Sequence, residues 1–475
     1  MPSNAGSQLS DTMGIVDENR GTHQADSSAE SLEQTLAAVE GIGRELNAVT
    51  SVMGDRARTL ARKSADRVAS DRVAADRVAE GEPARSIEGV PFAIKDVIDV
   101  AGFPTTMGSK VSSGPDPSTS APVVSLLERA GALPVAKTNC QEYSYGILGD
   151  ESAFGRVVNP VDPALCTAGS SSGSAALVAA GVVPLAVGTD TAGSVRVPAA
   201  CQGVIGFKPT FGVVSTEGVF PLSPSFDTIG LFARDLPLLT NAYEAIAGNS
   251  RGAHGSGLGA DSGSRGTGGV GSAQAGQPLT VDRSLLESAD ESADGTRRWA
   301  ERTLSGVRTA SARSEELREI IERLSGIYDI VRRYEAYVLH QRFADDQGEL
   351  YQPGVWAKIM SGQTITKAEY QEQVIALEEL RASATSIFDD VDLLVTPAIE
   401  GDVIAWEDIG PDSAARFMRY SMPFNVLGWP AVTLPIGAVA GGDDTRSTGS
   451  AKPESVQIVG PPHSDEQLLA FVAGL

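Results

Sequence analysis

The chain has 475 residues, 41% of them hydrophobic and 21% charged, so it holds enough apolar material for a large buried core and too much for disorder throughout. Thirty-eight Lys and Arg against 61 Asp and Glu leave a formal charge of -23, a field that repels nucleic acid and anionic lipid. No basic flank precedes an apolar run near Met1, and the most apolar stretch, Ala175 to Gly188, is broken by Gly181 and Pro184, so neither secretion nor a membrane span is expected.

Residues 1–30 are polar and aperiodic and read as a flexible tail, with structure starting near Ser31. From Ser31 to Glu80 the pattern is helical. Its last part, ADRVASDRVAADRVAE, repeats Asp-Arg-Val-Ala every five residues, which winds around a helix of about 3.6 residues per turn and predicts a solvated surface laced with ion pairs. GVPFAIKDVIDV, from Gly89, is a compact β-branched run that predicts strand pairing with buried ends, and GFPTTMGS supplies the turn after it. A helix around Pro122 to Ala130 and a short buried strand from Leu133 to Ala136 follow. That alternation points to an α/β sheet.

Gly169 to Ser174 is a Gly/Ser loop, followed by a small-residue helix from Ala175 to Ala180, a strand from Val183 to Val187 and a second loop from Gly188 to Ser194. Gly248 to Pro278 holds 11 glycines in 31 residues and almost no large apolar side chain, so it reads as a flexible insertion; residues 440–453 read as a second. Residues 284–340 and 364–388 are charged amphipathic helical stretches. Strand texture returns at Val391 to Ala398, at Pro430 to Gly437 and in SVQIVGP, implying one sheet completed by the C-terminal part.

Cys140, Cys166 and Cys201 are an odd count without a CxxC pair, which fits buried thiols in a reducing, cytoplasmic compartment. Of four histidines, His23 lies in the tail and His254 in the glycine-rich tract, leaving His340 and His463 in sequence with folded texture. Metal sites and imidazole catalysis both start with few candidates.

Taken alone, AGSSSGSAA is a turn capping a helix, or more weakly a phosphate cradle, though GxxxxGK[ST] is missing. GTDTAGSVRVPAA is less ordinary. Its backbone amides from Thr191 to Ser194 can converge on one spot beside the Ser194 hydroxyl, which is the requirement for a nucleophile with an oxyanion hole; the plainer alternative is a serine helix cap. Lys95 interrupts the apolar PFAIK, where desolvation yields a neutral amine able to act as base, unless it is simply an exposed strand end.

Lys95, Ser170 and Ser194 together, in GVPFAIKD and AGSSSGSAALVAAGVVPLAVGTDTAGSVRVPAACQGVIGFKPT, resemble the amidase signature family. The resemblance runs from about Ser31 to the C-terminus through SAFGRVVNPVDP, PFNVLGWPAVTLPIG and VQIVGP. Ala168 and Ser172 stand where the family often has Gly, and Ala192 replaces the first Gly of a usual Gly-Gly-Ser. The motif variants look like those of allophanate hydrolases and of aryl and aliphatic amidases. The resemblance implies one α/β domain over 31–475 with a large mixed sheet surrounded by helices, and an amidohydrolase that releases acid and ammonia or amine. It further implies a Lys95, Ser170, Ser194 triad with a cis Gly169–Ser170 peptide, an oxyanion hole at Thr191, Ala192, Gly193 and Ser194, and no metal or organic cofactor. Tyr143, Tyr145, Gly146 and Ile147 match the segment lining the acyl pocket in relatives, while Asp190 and Arg196 are expected to hold the loop by ion pairing. A small-molecule amide is the expected partner, with a homodimer left open and no direct nucleic acid. An allophanate or carbamoyl hydrolase, an amidotransferase subunit for misacylated tRNA and an inactive binding module are the alternatives.

Overall fold

The computed structural model describes residues 20–75, 86–111, 114–247, 279–311, 313–436 and 452–475. The insertion expected at 248–278 lies outside these residues, as does the one at 440–453 apart from Lys452 and Pro453. Within the expected tail, residues 1–19 are outside, and Arg20–Glu40 is a helix where a flexible tail was expected as far as residue 30. The apolar signal that marks this helix starts only at Leu32, continuing at Leu36 and Val39, one face of a helix buried in the core.

Eleven strands form one mixed sheet: β1 (Val49–Val52), β2 (Pro91–Lys95), β3 (Leu133–Thr138), β4 (Leu185–Asp190), β5 (Ile205–Lys208), β6 (Thr228–Ala233), β7 (Thr280–Asp282), β8 (Arg308–Thr309), β9 (Leu393–Pro397), β10 (Ala431–Ile436) and β11 (Glu454–Val459). Their spatial order is β1-β3-β2-β4-β6-β5-β10-β11-β9-β7-β8. β2 lies parallel between β3 and β4, and β7 lies parallel between β8 and β9, whereas the remaining pairs are antiparallel. C-terminal β10 and β11 sit beside β5 in mid-sheet, so the end of the chain closes the core.

The two-residue period of a strand explains the layering. Phe92 and Ile94, Leu185 and Val187, and Ile229 and Leu231 enter one core, under the helices Pro122–Arg129, Leu236–Ala247 and Asp465–Ala473. Their neighbours Ala93, Ala186 and Phe232 enter the opposite core, with the helix Ser172–Ala179. Helices thus cover both faces of the sheet, as in other α/β folds. The expected helical stretch at 284–340 is three helices, Ser284–Glu287, Asp294–Thr303 and Ser314–Gln347, with β8 between the last two. A two-residue strand is too short to leave a periodic signal. Among the described residues no helix is long and apolar enough to cross a membrane.

Candidate active site

Three consecutive motifs meet at the C-terminal ends of β2 and β4. Lys95 ends β2 and is completely buried; its Nζ stands 2.6 Å from Ser170 Oγ and 2.7 Å from Thr189 Oγ1, near the end of β4. Burial pushes the Lys95 ammonium down to about 8, because the charged form loses its hydration there, while the nearby Cys140, Asp227 and Asp190 pull partly the other way. An amine at that value is neutral in an appreciable fraction of molecules near neutral pH and can accept a proton from the Ser170 hydroxyl.

Ser170 follows a cis peptide, Gly169–Ser170, just ahead of the helix Ser172–Ala179. Ala168 has φ +55°, in the left-handed region that favours glycine, so an alanine is held there against its ordinary backbone preference. Small residues let this helix press on the sheet: a Cβ at Gly188 would come within 2.8 Å of Ser171 Oγ and 2.9 Å of Phe232 Cε2. Ser171 N–H donates to the Ser194 carbonyl at 3.3 Å, so the residue after Ser170 is fastened to the second loop.

Asp190 organises that second loop. Its carboxylate accepts from the backbone N–H groups of Gly193 (2.7 Å), Val195 (3.0 Å) and Arg196 (3.3 Å) and from the Arg196 guanidinium (3.0 and 3.1 Å). Burial alone would raise its pKa, but Arg196, Lys208 and Asn425 overcome that and hold the carboxyl well below the usual range. Arg196 also donates to Gln457 on β11 and to Asn425, tying the loop to the C-terminal part of the fold. Asp190 and Arg196 therefore form the expected ion pair, and it is fully buried.

One of the expected oxyanion donors already has a partner in the structure. The Gly193 N–H donates to Asp190, Gly193 has φ +124°, and it is not among the residues lining the cavity; a Cβ there would stand 2.7 Å from Ser421 Cβ and 2.8 Å from Val197 Cγ2. Thr191, Ala192 and Ser194, by contrast, all line a cavity of about 250 Å³, together with Tyr145, Gly146 and Ile147. Tyr143 is placed apart from these residues. It is not among the lining residues; its buried ring packs with Phe220, His340 and Tyr351, at centroid distances of 4.9, 4.5 and 5.3 Å.

His340 belongs to the same aromatic cluster, where burial pushes its imidazole down to about 3, too low to take up a proton at neutral pH. Its Nδ1 lies 2.8 Å from Tyr351 Oη. His463 sits in a loop, its N–H donating to Thr210 Oγ1 at 2.9 Å. Among the described residues no group of three or more His, Cys, Asp or Glu is placed to hold a metal ion.

Several residues at the site escaped the sequence reading. Thr189 lies inside the quoted second motif and could have been flagged by its place two residues before Thr191. Asp227 accepts from Thr191 Oγ1 at 2.6 Å and from Leu222 and Ser223 N–H at 2.9 and 3.0 Å, bracing the loop from the far side. Burial raises its carboxyl to about 7. Tyr328 and Arg332 line the cavity from the helix Ser314–Gln347, and Lys358 lines it from the helix Pro353–Met360. No local pattern marks them, because a charged helix looks the same whether it faces solvent or a pocket.

The family model described as Amidase matches residues 30–262 and 302–469. A glutamyl-tRNA(Gln) amidotransferase subunit of Symbiobacterium thermophilum is 32% identical over 413 residues, 81% of each chain. The 2-amino-5-chloromuconic acid deaminase of Comamonas testosteroni is 30% identical over 415 residues, 83% of each chain. A crystal structure of an amidase superposes with a TM-score of 0.76 at 28% identity, covering 97% of this chain and 98% of its own.

Proposed function

The chain belongs to the amidase family and is an amide-cleaving enzyme, and from that premise we propose how its residues divide the work. Ser194 is the nucleophile, Ser170 the proton relay and Lys95 the base. The observation that carries this reading is the Lys95 Nζ at 2.6 Å from Ser170 Oγ, with burial holding the amine near 8. The neutral amine accepts the Ser170 proton as Ser170 accepts that of Ser194, and Ser194 Oγ adds to the amide carbonyl. N–H groups of Thr191, Ala192 and Ser194 receive the oxyanion. Ser170 then delivers the proton to the leaving nitrogen, the C–N bond breaks, and an ester to Ser194 remains. Water, deprotonated through the same relay, cleaves that ester and releases the acid.

Incubation with a fluorophosphonate, followed by peptide mass spectrometry, should place the adduct on Ser194, and a panel of primary amides should yield free ammonia. An adduct on another residue overturns the assignment. A second reading, in which the chain passes ammonia to a partner, is supported by the identity with a glutamyl-tRNA(Gln) amidotransferase subunit. Ammonia released without a partner separates the two, and the charge of -23 on this chain weighs against the second reading unless a partner carries the basic surface. The free, buried Cys140, Cys166 and Cys201 support a reducing compartment such as the cytoplasm.

The relay role makes a distinctive prediction. Ser170→Ala should cut anilide hydrolysis more deeply than hydrolysis of the matching p-nitrophenyl ester, because an amine needs a proton to leave and a phenolate does not. The general-acid share is about 10²- to 10⁴-fold. Stopped assays on the ester and anilide pair measure it, with Ser171→Ala as control; equal losses on both substrates would remove the acid role.

A further inference from the structure

We propose that Glu335 is a positioning residue for amide cleavage: from the helix Ser314–Gln347 it fixes the segment 222–227, and through Asp227 that segment aims Thr191 at the oxyanion. This role rests on the Thr191 N–H as an oxyanion donor and adds the residue that keeps it in place. Tyr328, Arg332 and Glu335 follow one another at i, i+4 and i+7, on one face of the helix. Tyr328 and Arg332 line the cavity beside Ser194, whereas Glu335, further along the same face, is buried and is not among the lining residues.

The Glu335 carboxylate is instead filled by donors from the protein. One oxygen accepts from the Ser223 hydroxyl and from the Ser225 N–H at 3.2 Å; the other accepts from Ser225 Oγ at 2.5 Å and Tyr370 Oη at 2.9 Å. Arg381, on the helix Lys367–Ala384, grips the same residues: its Nη2 donates to the Ser225 carbonyl at 2.9 Å and its Nε to the Val426 carbonyl at 2.6 Å. Two helices thus hold a segment that has no regular structure of its own.

What they hold lies next to the chemistry. Asp227 accepts from the N–H groups of Leu222 and Ser223, and the Ser223 carbonyl accepts from those of Phe226 and Asp227 at 2.9 Å, so residues 222–227 close into one unit. From that unit Asp227 receives the Thr191 hydroxyl at 2.6 Å, and Leu222 and Thr191 both line the cavity of Ser194. A shift of the unit carries Thr191 with it, and a misplacement of about 1 Å at a reacting centre costs on the order of 10²-fold. A carboxylate suits the post because it offers only acceptors. The hydroxyls of Ser223, Ser225 and Tyr370 can turn to meet a different partner, but the Ser225 N–H cannot. Glutamine therefore fits, with its oxygen on the Ser225 N–H and its amide nitrogen toward Ser225 Oγ and Tyr370 Oη, while alanine leaves all these donors without an acceptor.

The test uses the full-length enzyme and the primary amide that it cleaves fastest. Glu335→Ala should lower kcat roughly 10- to 100-fold with KM much less affected, and Glu335→Gln should regain most of the loss. Tyr370→Phe removes a donor that lies outside the segment and should stay close to the wild type. Thr191→Val deletes the hydroxyl that Asp227 holds and keeps the N–H; it should lower kcat too, and combined with Glu335→Ala it should be no worse than the poorer single variant, since both break one link. Losses that multiply in the double variant, a defect that appears in thermal midpoint and KM but not in kcat, or a Glu335→Gln no better than Glu335→Ala overturns the proposal. If Glu335→Ala does not fold, the pair Ser223→Ala and Ser225→Ala cuts the same link from the other side and is combined with Thr191→Val under the same rule. If turnover survives Ser194→Ala, the nucleophile assignment falls, while the coupling between Glu335 and Thr191, read from kcat alone, still decides the positioning role.

Discussion

Ser194→Ala is expected to lower amide turnover on the order of 10⁶-fold, the scale seen when a nucleophile that works as part of a unit is removed. The loss falls on chemistry and not on folding. Ser194 sits on a loop whose shape is set by Asp190, through Gly193, Val195 and Arg196, and the Ser194 hydroxyl is not one of those supports. A thermal midpoint close to that of the wild type, with no acyl adduct by mass spectrometry, is the expected pair of results. Retained turnover in a folded Ser194→Ala would show that another group attacks the carbonyl.

Lys95→Ala is expected to cost about 10²- to 10⁴-fold in kcat/KM and to flatten the pH profile. In the wild type the working form of Lys95 is the neutral amine, whose conjugate acid titrates at about 8. The logarithm of kcat/KM therefore climbs by about one per pH unit below that value and levels off above it, because each tenfold fall in proton concentration raises the neutral fraction tenfold until the site is fully deprotonated. Asp227, titrating at about 7, ionises first, and its negative charge then helps to hold the Lys95 proton. His340→Gln and His463→Ala should keep the wild-type profile, since His340 is held at about 3 and lies in an aromatic cluster. Rate measurements from about pH 6 to about pH 10 distinguish the two bases. A profile that follows either histidine and ignores the lysine substitution would overturn the lysine mechanism.

The strands at Pro91–Lys95, Leu133–Thr138, Leu393–Pro397, Ala431–Ile436 and Glu454–Val459 were legible as apolar, β-branched runs, and a helix between the two loops was legible too, although it starts at Ser172 and not at Ala175, inside the stretch read as loop. β4 and β5 lay inside the block read for its chemistry, β6 was not read at all, β1 interrupts a stretch read as helical throughout, and β7 and β8, of three and two residues, were too short for a pattern. Sheet order was not legible, because periodicity shows which face a residue takes and not which strand lies beside it.

Part of the chemistry was local and therefore written in the chain: a lysine inside an apolar strand end and a serine in a tight small-residue loop mark Lys95 and Ser194 as candidates, whereas Ser170 stood out among its neighbouring serines only through the resemblance to the amidase signature family. Tertiary structure decided everything that depends on a neighbour distant in sequence. It spent the Gly193 N–H on Asp190, turned Tyr143 into an aromatic core, set Thr189 against Lys95 and brought Arg332 to the cavity of Ser194. A hydrogen-bond donor has one proton to give and a ring one place to pack, and which partner claims it is settled only when the sheet and its helices come together.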